Sequence, residues 1–163
     1  YRWIRVRSGV AVGLECSEEE KGIILTLRTT DNGIVMNCMP GIVARLYQLD
    51  GNSLPGKLPT GFIYASGFRS EISQSNKILD VLPVWTRISF VIPNKNLSYT
   101  ILYWDSEKGT WFEIPPATEV TGQGTPFEYD GERKVLIGVR TFKEYNRIEA
   151  VINFTGTFIL VQK

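Results

Sequence analysis

Apolar and polar residues alternate with a period of two, in short runs, along most of the chain. Ile23 to Thr29 sets Ile24, Thr26 and Arg28 against Ile23, Leu25 and Leu27, and Trp85 to Ile92 sets Trp85, Arg87, Ser89 and Val91 against Thr86, Ile88, Phe90 and Ile92. Successive side chains of a strand point to opposite faces, so such runs suit strands rather than helices. Turn chemistry separates them: Asp31-Asn32-Gly33, Pro40-Gly41, Asp50-Gly51-Asn52-Ser53 and Pro93-Asn94-Lys95-Asn96. Ile42 to Leu49 is the stretch where helix competes, through Ala44, Arg45 and Leu46. There the alternation of Val43, Arg45 and Tyr47 against Ile42, Ala44 and Leu46 reads as strand. With no helix of three turns and about ten strands at regular intervals, the chain is expected to be all-β, an antiparallel β-sandwich. A closed barrel meets the same periodicity, which does not fix how sheets close.

Tyr99 to Pro115 (YTILYWDSEKGTWFEIP) is expected to be a hairpin. Thr100, Leu102 and Trp104 alternate with Ile101, Tyr103 and Asp105 on the way in, and Trp111, Phe112 and Ile114 carry the return strand. Ser106-Glu107-Lys108-Gly109 between them is polar and ends in the residue that most easily takes a left-handed conformation.

The 163 residues read as one domain, long enough to bury a core without metal or disulfide staples. Pro55 to Gly61 (PGKLPTG) is a loop and a seam, with residues 1–57 an N-terminal layer or extension and 58–163 the remainder. Gly67 suggests a bulge between the strands on either side of it. Pro115 to Pro126 is expected as an exposed loop, Phe127 to Gly131 as a short piece, and Arg133 to Phe142, Arg147 to Asn153 and Thr157 to Val161 as strands.

Composition narrows the function. Eighteen basic against seventeen acidic residues give a formal charge of +1, without the basic excess that neutralising phosphates requires, so no nucleic-acid partner is expected. Histidine is absent, which removes the usual general base for serine and cysteine nucleophiles and the commonest transition-metal ligand. No cofactor, no metal and no enzyme activity are expected. No apolar run approaches the length of a membrane span. The chain opens on Tyr1 without a signal peptide, as expected of a processed product or a fragment of a longer protein.

A set of short motifs falls in a fixed order: Leu58-Pro59-Thr60-Gly61-Phe62, Ile88-Ser89-Phe90-Val91-Ile92-Pro93, Ile101-Leu102-Tyr103-Trp104-Asp105, Trp111-Phe112-Glu113-Ile114-Pro115, and Asn153-Phe154-Thr155-Gly156-Thr157-Phe158-Ile159-Leu160-Val161. In these motifs residues 58–163 resemble bacterial envelope and surface-protein modules of the ZU5-like and immunoglobulin-like β-sandwich type. The resemblance implies that the hairpin packs on the sandwich and that the TGTF-like strand closes it. Some ZU5-like domains cut their own backbone at a closing His-Phe-Ser. Asn153-Phe154-Thr155 occupies that place here, with no histidine to activate Thr155, so strand residues are the expected reading.

Candidate sites follow. Arg2, Trp3, Arg5 and Arg7 belong to an alternating terminal segment suited to a sheet edge, where it can contact a neighbour. Tyr103, Trp104 and Trp111, with Trp85 and Tyr99, form either an aromatic platform for sugar rings or core packing, the latter preferred. Cys16 and Cys38 lie near the ends of adjacent expected strands, where a disulfide and two free thiols are both open. Asn96-Leu97-Ser98 and Asn153-Phe154-Thr155 match the N-glycosylation pattern, the first on a loop and the second beside a strand. Asp105, Glu113, Glu128, Asp130 and Glu132 are scattered carboxylates, and Glu18-Glu19-Glu20 reads as a solvated turn. The expected function is a non-enzymatic structural or interaction module of a cell envelope, surface layer or extracellular filament, with other copies of itself or neighbouring envelope domains as partners. The alternatives are a carbohydrate-binding module with polysaccharide as its partner, or an accessory subunit of a larger complex.

Overall fold

The structure, a computed structural model, describes residues 2–5, 12–15, 17–22, 24–29, 32–117 and 136–163. Its strands are β1 (Arg2–Arg5), β2 (Val12–Glu15), β3 (Ile24–Arg28), β4 (Asn32–Asn37), β5 (Ile42–Gln48), β6 (Ile63–Gln74), β7 (Lys77–Leu79), β8 (Val81–Val91), β9 (Tyr99–Asp105), β10 (Thr110–Glu113), β11 (Leu136–Phe142), β12 (Arg147–Phe154) and β13 (Thr157–Gln162). Helical structure among the described residues is limited to single 3₁₀ turns at Glu18–Glu20 and Lys143–Tyr145. Within Ile42 to Leu49, the residues Ile42–Gln48 form strand β5, with Ile42, Ala44 and Leu46 all fully buried.

The strands form two sheets. Sheet I is 6-stranded in the order β1-β3-β4-β8-β12-β11; sheet II is 7-stranded in the order β10-β9-β13-β6-β5-β2, with β7 paired to β6. All pairs are antiparallel except β1 with β3, which is parallel. The fold is thus the all-β sandwich that the alternation predicts. Residues 1–57 are not a separate layer: β4 pairs with β8 in sheet I and β5 with β6 in sheet II, so early strands enter both sheets.

Alternate residues of both sheets meet in one core. Ile34 and Met36 of β4, Ile88 and Phe90 of β8, and Ile148, Ala150 and Ile152 of β12 come from sheet I. Phe68, Phe158 and Tyr103 come from sheet II. Phe68 stacks on Phe90 at 5.3 Å between ring centroids, and Tyr103 meets Phe154 edge-on at 4.7 Å. A hydrogen bond of 3.2 Å from Ser66 Oγ to the buried Asn32 Oδ1 also crosses between the sheets.

The sheets are joined where two connections cross side by side. β7 leads into β8 and β12 into β13 at one corner, the sandwich feature in which strands change sheets. Thr155 N donates to Asp80 O at 3.1 Å, Thr155 Oγ1 donates to Leu79 O at 2.9 Å, and Ser70 N donates to Gly156 O at 2.9 Å. The Thr155 hydroxyl therefore pins one connection to the other, and Phe154 lies against Tyr103 and Phe158. Asn153 is fully buried, which closes it to a glycan, whereas Asn96 is exposed on its loop.

Two local expectations shift. Asn32 and Gly33 lie inside β4 rather than in the turn, which closes earlier through Thr29 N to Asn32 O at 2.8 Å and Asn32 N to Thr29 Oγ1 at 3.1 Å. The register step in β6 falls at Ala65, between the Leu160–Ser66 and Val161–Tyr64 pairs, and not at Gly67. Pro83 sits within β8, where the ladder with β12 is interrupted between Thr86–Ile152 and Val81–Phe154, so its missing N–H removes no pairing there.

Candidate functional site

The hairpin forms as its sequence demands. Asp105 Oδ1 accepts the amides of Glu107 and Lys108 at 3.1 and 3.2 Å, Gly109 N donates to Asp105 O at 2.8 Å, and Gly109 takes a φ of +64°. Asp105 therefore pairs with Thr110 and Trp104 with Trp111, the two indoles meeting edge-on at 5.2 Å.

That pair faces away from the main core. With Leu102, Ile159 and Val161 it builds a second apolar cluster on the outer side of sheet II, and Leu49, Leu54, Leu58, Phe62 and Tyr64 close over it. Residues 49–62, which include the expected seam at Pro55 to Gly61, form a cover over this cluster. Trp111 is only 7% exposed and its Nε1 donates to Gly56 O at 3.1 Å, while the Trp104 ring lies where a side chain on Gly56 would stand. Tyr64 OH donates to Leu49 O at 3.0 Å. Burial chiefly, and the Asp50 carboxylate beside it, push this phenol up to about 12. Tyr103 points the other way, into the space between the sheets. Tyr103, Trp104 and Trp111 accordingly share no surface, and the three-ring sugar platform is not assembled. A shallow hollow of about 530 Å³ lies over the cover, and no tryptophan lines it.

The other expected sites are spread apart. Arg2, Trp3 and Arg5 lie in β1 at the edge of sheet I, where Trp3 pairs with Thr26 and Arg5 with Arg28; Arg7 lies outside the described residues. Cys38 is buried and disulfide-bonded, and Cys16, the chain's other cysteine, lies outside the described residues. Asp105 serves the hairpin turn and Glu113 pairs with Lys163 Nζ at 3.4 Å, so these two carboxylates do not converge. Glu128, Asp130 and Glu132 lie outside the described residues. Among the described residues no group of three histidine, cysteine, aspartate or glutamate side chains is placed to hold a metal ion.

The most concentrated chemistry lies on the outer face of sheet I, where β8 and β12 pair. Register sets Ser89 opposite Glu149 and Arg87 opposite Val151, with Arg147 one step along. Ser89 Oγ donates to Glu149 Oε2 at 2.7 Å and accepts from Arg147 Nε at 2.6 Å; Arg87 Nε lies 3.7 Å from Glu149 Oε1 and Arg147 Nε 3.9 Å from its Oε2. Burial chiefly, then the nearby Arg28, lower the Arg147 guanidinium from its ordinary value; Glu149 opposes the shift and Arg87 adds to it. Phe142 and Tyr145, exposed at the neighbouring 3₁₀ turn, complete with Arg87, Arg147 and Glu149 a hollow of about 370 Å³. The sequence shows these arginines only as the outward half of two alternating strands. The pairing that joins them, across 58 residues for Ser89 and Arg147, has no local signal.

No protein-family model matches the chain, and a search of curated proteins finds no match to it.

Proposed function

We propose that the chain is a non-enzymatic structural or interaction module of a bacterial cell envelope, surface layer or extracellular filament, of the ZU5-like or immunoglobulin-like kind, assembling with copies of itself or neighbouring domains through strand edges. The observation that carries this reading is the position of β1. The alternating arginine-rich segment is the edge of sheet I, paired on one side with β3 and facing no described strand on the other. An edge strand offers a row of backbone donors and acceptors to an added strand. The disulfide at Cys38 suits an exported protein, since such bonds persist in oxidising compartments.

Removing residues 1–7 tests the reading. The shortened chain is expected to keep its sandwich, seen as an unchanged far-ultraviolet circular dichroism spectrum, and to lose self-association in sedimentation velocity. An oligomer of unchanged mass, or a full-length chain that stays monomeric and captures no neighbouring envelope domain, overturns it.

A further inference from the structure

We propose that the hollow on the outer face of sheet I binds a carboxylated saccharide, with Arg87 receiving the carboxylate and the sugar ring lying on Tyr145 and Phe142. This rests on the hollow alone and not on the assembly reading.

Charge is the first argument. Among the described residues, Arg147 has the like charges of Arg28 and Arg87 acting on it against the one carboxylate of Glu149, and the Arg87 side chain is 51% exposed. Like charges in a partly desolvated place repel one another more strongly than they do in water. A second anion relieves that repulsion and gains charge-assisted hydrogen bonds from a guanidinium fork. The arginines on the outer face of sheet II differ: Arg69 lies 4.1 Å over the Tyr47 ring and 3.3 Å from Glu71, which Arg45 approaches at 3.6 Å. There the charges are matched by an aromatic face and a carboxylate.

The walls are the second argument. Tyr145 is 71% exposed and Phe142 37%, so two rings stand in water beside the arginines. An aromatic face with a polar tip suits a ligand that is apolar on one face and polar at its rim, as a pyranose is. The hollow of about 370 Å³ is at the small end of ligand sites.

The backbone is the third argument, and it favours a saccharide over an acidic peptide. β8 lies between β4 and β12, and β12 between β8 and β11, so their main-chain groups are engaged in the sheet. An extended peptide laid over β8 and β12 finds no strand edge for its own amides there, the usual source of affinity for such segments, and the edge strand β11 reaches the hollow only through its last residue, Phe142. A sugar chain needs only side chains.

Tetragalacturonate is the probe, titrated into the full chain at low ionic strength by calorimetry and by ¹⁵N-resolved NMR. The expected result is binding that weakens with added salt, moves resonances of residues 87, 89, 142–145 and 147–149, and falls about tenfold in both Arg87→Ala and Tyr145→Ala. Arg45→Ala on the opposite sheet is expected to bind as the parent does. Both hollow residues are exposed, and melting curves check that the variants stay folded; should either fail, the wild-type shift map still locates the ligand. Absence of binding, equal binding of maltotetraose or hexaglutamate, or shifts centred elsewhere overturn the proposal.

Discussion

The outer faces of the two sheets solve the same problem in opposite ways. On sheet II, Trp104 and Trp111 stand outside the main core, and residues 49–62 fold over them until Trp111 is 7% exposed. On sheet I, Arg87, Arg147 and Glu149 stand outside the core, with Ser89 bonded between the last two and Phe142 and Tyr145 beside them. Apolar surface drives its own cover, because removing aromatic area from water stabilises by about 25 cal/mol per Å². Guanidiniums gain nothing from losing water, and Arg87 keeps about half of its side chain exposed while Arg147 is held by Ser89 and Glu149. The residues most conspicuous in the sequence thus end as structure, and the inconspicuous ones keep a surface open to a ligand.

The strongest way to break this contrast is Trp111→Ala. It removes a buried indole, its edge contact with Trp104 and its hydrogen bond to Gly56 O. A loss of about 3–5 kcal/mol is expected in urea unfolding, with amide exchange rising first in residues 49–62. A loss below about 1 kcal/mol, within the range of ordinary surface substitutions, would show the cover to be incidental. Glu149→Gln, on the other sheet, tests how far the carboxylate holds Arg87 and Arg147 in place. It leaves Arg147 and Ser89 with a neutral partner in a partly buried place, and about 1–3 kcal/mol of stability is expected to go. Unchanged stability would mean that the arginines are already satisfied by water.

What the sequence yields depends on how far apart the partners lie. The hairpin is legible because everything that shapes it lies between Asp105 and Thr110, and β5 because Ile42, Ala44 and Leu46 are two apart. Asn32-Gly33 misleads by a small step, since the hydroxyl and amide of Thr29 close the turn before the residues with the strongest turn preference. Gly56 reads as an ordinary loop glycine until Trp104 is laid on it. The Trp104–Trp111 pair is foreseeable from hairpin register, but which face it takes is not. That depends on β13 pairing with β9, and on a loop 55 residues away in sequence from Trp111. The arginine hollow is illegible for the same reason, because strand pairing across a long sequence gap leaves no mark within either strand.

The finest test of the contrast uses Tyr64 as a reporter of the cover. Folded, the phenol keeps its proton to about pH 12, against 10.0 for an unperturbed tyrosine, because burial and then Asp50 disfavour the phenolate. The folded state therefore binds this proton more tightly than the unfolded chain. The associated stability is complete below about pH 10 and is lost as the pH rises toward about 12. Tyr64→Phe removes both that dependence and the bond to Leu49 O. About 1 kcal/mol is expected to go at neutral pH, with a shallower alkaline decline in urea midpoints. In Trp111→Ala the cover loosens, and Tyr64 is expected to ionise nearer to 10 in a difference-absorbance titration against the Tyr64→Phe background. If it still ionises near 12, residues 49–62 hold their place without the tryptophan, and the covered face owes its cover to Leu54, Leu58 and Phe62 instead.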